Sequence, residues 1–375
     1  MLRRDFIQFA VAGGAALTCG AAVCPAAVSP RRRGLGYNTF GLRSLGLSDR
    51  QLLEWASSRR LDAVFLQATS DPGVDDPRHW GAMRAWCREL GLRLERGGGA
   101  ILPTDPADFD AAIARLRRDI ARAAALGSPL VRGTCGNFRT TLPGGVEASR
   151  ALAVRVLRTV RADALAAGVK VALECHKEYQ AWEYRELVEA AGPDAVGISL
   201  DTGNSPFVLE DPLLTLETLA PYVVSVQLRD TVIWEQANGI AMRWVPLGEG
   251  TVDLRAFCAA AERLLPPDVH FFSKPITDWP AYVLPARDPG YLRAHYPRAR
   301  PAELERFFAL AKRGKPYVGH ALIAPEERER PLRRALPAEP LARDPAALGR
   351  QQAEHMEQSL RYARETLGLG RKSSV

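Results

Sequence analysis

Apolar runs in the second half of the chain end in groups capable of chemistry: Glu174-Cys175-His176-Lys177, Asp201-Thr202-Gly203-Asn204, Gln227-Leu228-Arg229-Asp230 and Ser273-Lys274-Pro275. Glu174, Asp201 and Gln227 are separated by 27 and 26 residues, each about one strand, helix and pair of loops. If neighbouring parallel strands carry these ends, three oxygen donors with two negative charges face one cavity. That set suits a hard divalent cation such as Mn²⁺ or Mg²⁺. Taken singly, each residue is equally a strand terminus bonded to a nearby helix N-terminus, but their occurrence in register favours a shared site.

The elements that must position these groups follow from hydrophobic period. From Gly34 onward, short β-branched or apolar runs alternate with amphipathic stretches of helical period. Strands are expected near 35–40, 63–67, 92–97, 129–133, 169–175, 195–201, 222–229 and 269–276. Helices are expected near 48–59, 78–90, 107–126, 146–167, 183–191, 211–220 and 253–265, with a closing helix near 347–367. Eight strand–helix pairs predict an α/β (β/α)8 TIM barrel, whose pocket forms at the C-terminal ends of the strands. An open doubly wound sheet is the alternative, but no glycine-rich dinucleotide fingerprint follows the first strand. The surplus length lies mainly after the eighth strand. There, residues 277–301 are rich in proline and aromatics and 301–313 reads as a short helix, so an extended loop and helix insertion caps one end.

The ALEC-H stretch around Glu174, SLDTGN at 199–204, VSVQLRD at 224–230 and PLGEGTVDL at 246–254 resemble the xylose isomerase-like TIM barrel superfamily, the sugar phosphate isomerase/epimerase group, over residues 34–325. That resemblance implies a metal ligand at the end of each of four strands, and Glu174, Asp201 and Gln227 match the first three. The fourth departs, because Lys274 stands where a ligating Glu is expected. An ammonium so close to a cation is disfavoured. Lys274 therefore either takes the metal's place beside Glu174 and Asp201, or sits neutral beside a metal (Mn, Mg or Zn) on three protein ligands, where it is a general base or Schiff-base nucleophile. Glu249, 25 residues upstream, is an alternative carboxylate should the register differ.

Other candidates surround this set. His176 is placed for acid/base work or a sugar hydroxyl. Arg132 and Arg229 can bind a carboxylate or phosphate bidentately. Asn204 is either a substrate contact or a helix cap. Trp234, Trp244, Trp279 and Tyr282 fall in expected loops near the pocket mouth, where they would stack on sugar rings.

The 375 residues are 47% apolar and 25% charged, which excludes a disordered or fibrous chain. Of 50 basic residues only six are Lys (170, 177, 274, 312, 315 and 372), and the +7 charge is dispersed apart from Arg31-Arg32-Arg33. A nucleic-acid partner, which asks for a basic stripe, is not expected. Residues 1–28 combine Arg3-Arg4-Asp5-Phe6-Ile7 with a small apolar stretch, a twin-arginine-like export signal too short and glycine-rich for a membrane span. Cleavage would leave residues 29–375 as an exported, periplasmic barrel with no stable membrane span and with four thiols: Cys87, Cys135, Cys175 and Cys258.

The expected activity is that of a sugar isomerase or epimerase, converting a keto or aldo sugar or sugar acid through an enediolate-type intermediate. A lyase or decarboxylase on an oxidised sugar is the alternative favoured by Lys274, because it needs one electrophile and one proton donor. A catalytically silent sugar-binding barrel is the third reading. A nuclease is not expected, since the resemblance ties that chemistry to His-rich zinc sites and only His176 stands at a strand end. The expected partner is a small sugar, unphosphorylated if the chain is exported.

Overall fold

The computed structural model describes residues 32–71, 75–277, 279–317 and 344–371. The export signal expected over 1–28 lies outside the described residues. Short, mostly apolar segments form the sheet: β1 (Leu35–Asn38), β2 (Ala63–Leu66), β3 (Arg93–Ala100), β4 (Leu130–Thr134), β5 (Lys170–Glu174), β6 (Val196–Asp201) and β7 (Val223–Leu228). Strands buried on both faces need no polar alternation, which is why these runs read as continuous hydrophobics. With β10 (Phe271–Ser273) they close a parallel barrel in the order β1-β10-β7-β6-β5-β4-β3-β2. The barrel interior is filled by Ala63, Phe65, Leu130, Ala172 and Phe272, with Phe65 edge-on to Phe272 at 5.4 Å.

Helices α1 (Asp49–Ser58), α2 (Pro77–Glu89), α3 (Phe109–Leu126), α4 (Gly145–Ala167), α5 (Ala181–Ala191), α6 (Pro212–Leu219) and α7 (Leu254–Leu264) alternate with the strands. Their starts follow the sequence: Ser48 with Gln51 forms a reciprocal capping box on α1, and Asp76, Asp211 and Asp253 cap α2, α6 and α7. Their apolar faces pack on the barrel as one continuous core.

The expected insertion is present but divided. Part of it precedes the last barrel strand, where β8 (Asp230–Gln236) and β9 (Gly239–Val245) form an antiparallel hairpin. Gly239 has φ 143°, and a Cβ there would stand 2.2 Å from the Leu284 carbonyl oxygen. β11 (Tyr282–Leu284) joins β9 antiparallel, and α8 (Pro289–His295) and α9 (Pro301–Arg313) follow. Helix α10 (Pro345–Glu365) returns to the barrel, its Gln352 and Ser359 bonding the backbone at Ser44 and Leu247. The excursion has its own apolar core, which includes Phe138, Phe207, Trp244, Trp279 and Tyr282. Trp234, Trp244 and Tyr282 thus lie on strands, and all four aromatics expected on loops at the pocket mouth are buried, at 3–8% exposure. No described helix is long and apolar enough to cross a membrane.

Candidate functional site

The strand ends bring two carboxylates and three cations together. Glu174 closes β5 and Asp201 closes β6. Lys274 follows β10, its backbone N–H held by the Leu228 carbonyl at 2.9 Å. The Lys274 ammonium donates to Glu174 Oε1 at 2.8 Å and to Asp201 Oδ2 at 3.2 Å. Arg132, on β4, lies 3.1 Å from Glu174 Oε2, and Arg229, just beyond β7, donates to Asp201 Oδ2 at 2.7 Å. All five residues are at most 5% exposed. Burial pushes the Glu174 carboxyl up, but Lys274 and Arg132 outweigh it and hold the group well below the usual carboxylate range. Burial pulls the Lys274 ammonium below its ordinary value, and the two carboxylates oppose that pull.

The SLDTGN segment builds this arrangement. Asp201 Oδ1 accepts the Gly203 N–H at 3.0 Å, and Thr202 Oγ1 donates to the Arg229 carbonyl at 2.6 Å while accepting the Arg229 N–H at 2.9 Å. Gly203 is required for space, because a Cβ would stand 2.5–2.7 Å from the Arg229 methylenes. Asn204 is fully buried and makes no cap. Its amide leans on Glu174 Oε1 and its carbonyl on Arg229, both at 3.4 Å. Trp244, delivered by β9, donates to the Gly203 carbonyl at 2.7 Å and lies 4.4 Å from the Arg229 guanidinium. PLGEGTVDL is a clamp: buried Asp230 accepts the Gly248 and Gly250 N–H groups at 2.9 and 3.0 Å.

The expected metal set does not assemble. Gln227 sits beside Asp201 in the sheet register, but its Oε1 accepts the Asn38 amide at 2.9 Å. Glu174 and Asp201 spend their oxygens on three fixed cations, Asn204 and a backbone N–H. An ammonium between the two carboxylates occupies the position a divalent ion would need, and each of the three expected ligand side chains already has a partner. The residues present do not fit a resident metal at this strand-end position. Glu249 does not join the group either. It is exposed on the β9–α7 loop, where it accepts from Tyr317 at 2.6 Å and from Gln358. A separate cluster, Asp49, Asp71 and His79, brings its ligand atoms within 4.8 Å of one another, with His79 Nε2 and Asp49 Oδ2 2.7 Å apart.

A cavity of about 460 Å³ opens over the cationic group, lined by Arg132, Glu174, His176, Lys177, Arg229 and Lys274, with Trp244 and Trp279 also in its wall. His176 is tied down at both nitrogens. Nδ1 donates to the Gly136 carbonyl at 3.1 Å, which leaves Nε2 to accept from Lys177 at 2.7 Å. Burial, then the neighbouring Lys177, depresses the His176 pKa, so the ring is neutral at pH 7. Glu178 Oε1 braces the Cys135 and Gly136 amides at 3.2 Å, fixing the loop His176 leans on. Lys177, the last of the Glu174-Cys175-His176-Lys177 group, is a wall residue to which the sequence alone gives no role, although it is one of only six lysines in an arginine-rich chain.

With the geometry in place, comparisons are informative. The model of the family described as xylose isomerase-like TIM barrel matches residues 53–264. The 3-oxo-isoapionate decarboxylase of Pectobacterium atrosepticum is 28% identical over 217 residues, spanning 52% of this chain and 76% of that protein. Among solved structures, D-psicose 3-epimerase in the presence of D-fructose superposes with a TM-score of 0.57 at 14% identity, covering 89% of this chain and 99% of that one. The IOLI protein with a bound zinc atom gives a TM-score of 0.52 at 16% identity, covering 74% and 95%. At such identities the solved structures show the fold alone.

Proposed function

Because the chain belongs to the xylose isomerase-like TIM barrel family, we propose that its cavity converts an oxidised sugar carrying both a carboxylate and a ketone, and that the reaction is a metal-independent decarboxylation. The single observation behind this reading is the Lys274 ammonium between Glu174 and Asp201. An isomerase or epimerase of this kind needs a carboxylate free to lift a proton from carbon, and Glu174 is instead bound by Lys274 and Arg132. Loss of CO2 from a 3-oxo acid needs no such base. The electrons of the breaking C–C bond flow into the neighbouring ketone, and fixed positive charge near its oxygen lowers the barrier.

The charge of the wall supports the same substrate class. Among the described residues, Arg132, Arg229, Lys274 and Lys177 line the cavity with Glu174 as the one carboxylate. A guanidinium edge fits a carboxylate, and the volume suits a small sugar acid. The likeness to a 3-oxo-isoapionate decarboxylase points the same way. Export, which we propose from the N-terminal segment, would supply unphosphorylated substrates.

The test is to incubate the purified protein in deuterated water with 3-oxo-isoapionate and related 3-oxo sugar acids, following CO2 and deuterium at the product carbon. Release of CO2 with one deuterium gained supports the reading. Deuterium exchange or stereochemical inversion without CO2 would make the protein an isomerase or epimerase, and binding without either would make it a sugar-binding barrel.

A further inference from the structure

Resting on the reading of the cavity as a site for 3-oxo acids, we infer that Lys177 is the amine that captures the substrate ketone as an imine, a role distinct from that of Lys274. The two buried lysines of this cavity have opposite surroundings. Lys274 lies within hydrogen-bond distance of two carboxylates, which bind its ammonium. Lys177 has no carboxylate within 4.0 Å among the described residues. Its Nζ lies 5.0 Å from the Phe138 ring centre, 5.4 Å from Trp244, 5.6 Å from Trp279 and 6.0 Å from Phe207.

The ring faces attract an ammonium, but they also exclude water, and at 1% exposure the side chain has little other contact with solvent to stabilise a charge. The charged and titratable groups facing the amine are Arg229 and Lys274, which disfavour its protonation, Glu174 and Glu178, which favour it at longer range, and His176, which accepts its hydrogen bond. Burial, assisted by Arg229, brings the lysine down to about 7, so a free amine is present at neutral pH. A lysine desolvated and set beside a second cation is a nucleophile of the kind that forms Schiff bases. The His176 Nε2 aims the nitrogen and leaves its lone pair for the cavity when one N–H is donated.

The step balances without any further reactant. The neutral amine adds to the ketone carbon and the carbonyl π pair moves to oxygen. With one proton taken from solvent, that oxygen leaves as water and an iminium remains. The bond to the carboxylate carbon then breaks, CO2 departs, and the electron pair is held as an enamine. The enamine carbon takes up a proton, and water returns the ketone product and the free amine. Arg132, Arg229 and Lys274 remain available for the carboxylate and hydroxyls.

The experiment treats the whole protein with dihydroxyacetone, a neutral hydroxyketone, and sodium borohydride, then measures intact mass and maps the modified peptide. A reduced adduct on Lys177 is expected, absent from Lys177→Arg, which keeps a cation but forms no imine. Circular dichroism and the melting temperature of the variant show that it is folded. In parallel, CO2 release from 3-oxo-isoapionate should fall to background in Lys177→Arg. No adduct, an adduct on another residue, or full CO2 release by Lys177→Arg overturns the inference. If wild-type protein releases CO2 without an adduct, only the imine fails. An adduct without CO2 release leaves the imine standing and sinks the decarboxylase reading.

Discussion

Replacing Lys274 by Met removes the ammonium shared by Glu174 and Asp201 while keeping most of the side-chain volume. Taking one partner from a buried ion pair costs roughly 3–5 kcal/mol, because the other charge is left uncompensated. Arg132 still holds Glu174 and Arg229 still holds Asp201, so the lower end, about 3 kcal/mol, applies here. With an unfolding entropy of about 2.1 cal/mol/K per residue over roughly 340 residues, the melting temperature should fall by about 4 °C. The loss should also depend on pH. In the wild type, Glu174 titrates below the usual range, so its stabilisation is present above the ordinary carboxyl pKa and is lost only as pH falls through the depressed folded value. Without Lys274 the Glu174 carboxyl rises, so the gap between variant and wild type should be widest near pH 7 and narrow as pH falls below the ordinary carboxyl pKa toward the depressed wild-type value. Scanning calorimetry from neutral pH down into the acid range below the ordinary carboxyl pKa reads this directly. Equal melting temperatures, or a gap that ignores pH, would mean that the ammonium does not lie between the two carboxylates.

Glu95 sits inside the barrel at 0% exposure, and burial pushes its carboxyl up to about 7. A raised folded value means that this group favours folding most when protonated and loses that contribution as pH rises from about 4.5 through 7. Glu95→Gln should therefore stabilise the protein at pH 8 by on the order of 3 kcal/mol and do little at pH 4, as read by urea unfolding at both pH values. Arg139 donates to both oxygens of Glu183, at 2.5 and 2.9 Å, and also to the His295 carbonyl, so it ties α5 to the segment after β11. Arg139→Met leaves Glu183 buried without its cation and should cost roughly 3–5 kcal/mol, with faster limited proteolysis around residues 289–313. Unchanged proteolysis would show that the extension is anchored elsewhere.

The barrel is legible because most strands are buried, largely apolar runs and several helices, α1, α2, α6 and α7 among them, carry a side-chain cap. Counting strand ends brings Glu174, Asp201 and Gln227 to neighbouring positions, and the family resemblance places Lys274 beside them, but neither points to Arg229 pairing with Asp201. The hairpin at 230–245 was missed although its signal is in the chain: two alternating β-branched and aromatic runs flank Asn238-Gly239. With eight strand–helix pairs already accounted for, those runs look like loop. Missing the hairpin hid what Trp244 does, since only its antiparallel return brings the ring onto Arg229. Gln227 stands in register with Asp201, but spacing carries no information about Asn38 claiming its oxygen from β1, two strands round the barrel. Glu249 shows the converse error, a carboxylate near the site in sequence whose loop faces solvent. Lys177 follows Glu174 by three residues, and nothing local marks it, because its low polarity surroundings come from Phe138, Phe207, Trp244 and Trp279, which are distant in sequence.

The most direct measurement is elemental analysis of the purified wild-type protein beside Lys274→Glu, with CO2 release assayed before and after EDTA. The wild type should carry no stoichiometric Mn, Mg or Zn and lose no activity to the chelator, whereas Lys274→Glu, with a third carboxylate in place of the ammonium, should gain a Mn²⁺ site. A stoichiometric divalent ion in the wild type, removed by EDTA together with activity, would contradict the assignment of Lys274 to the metal's place.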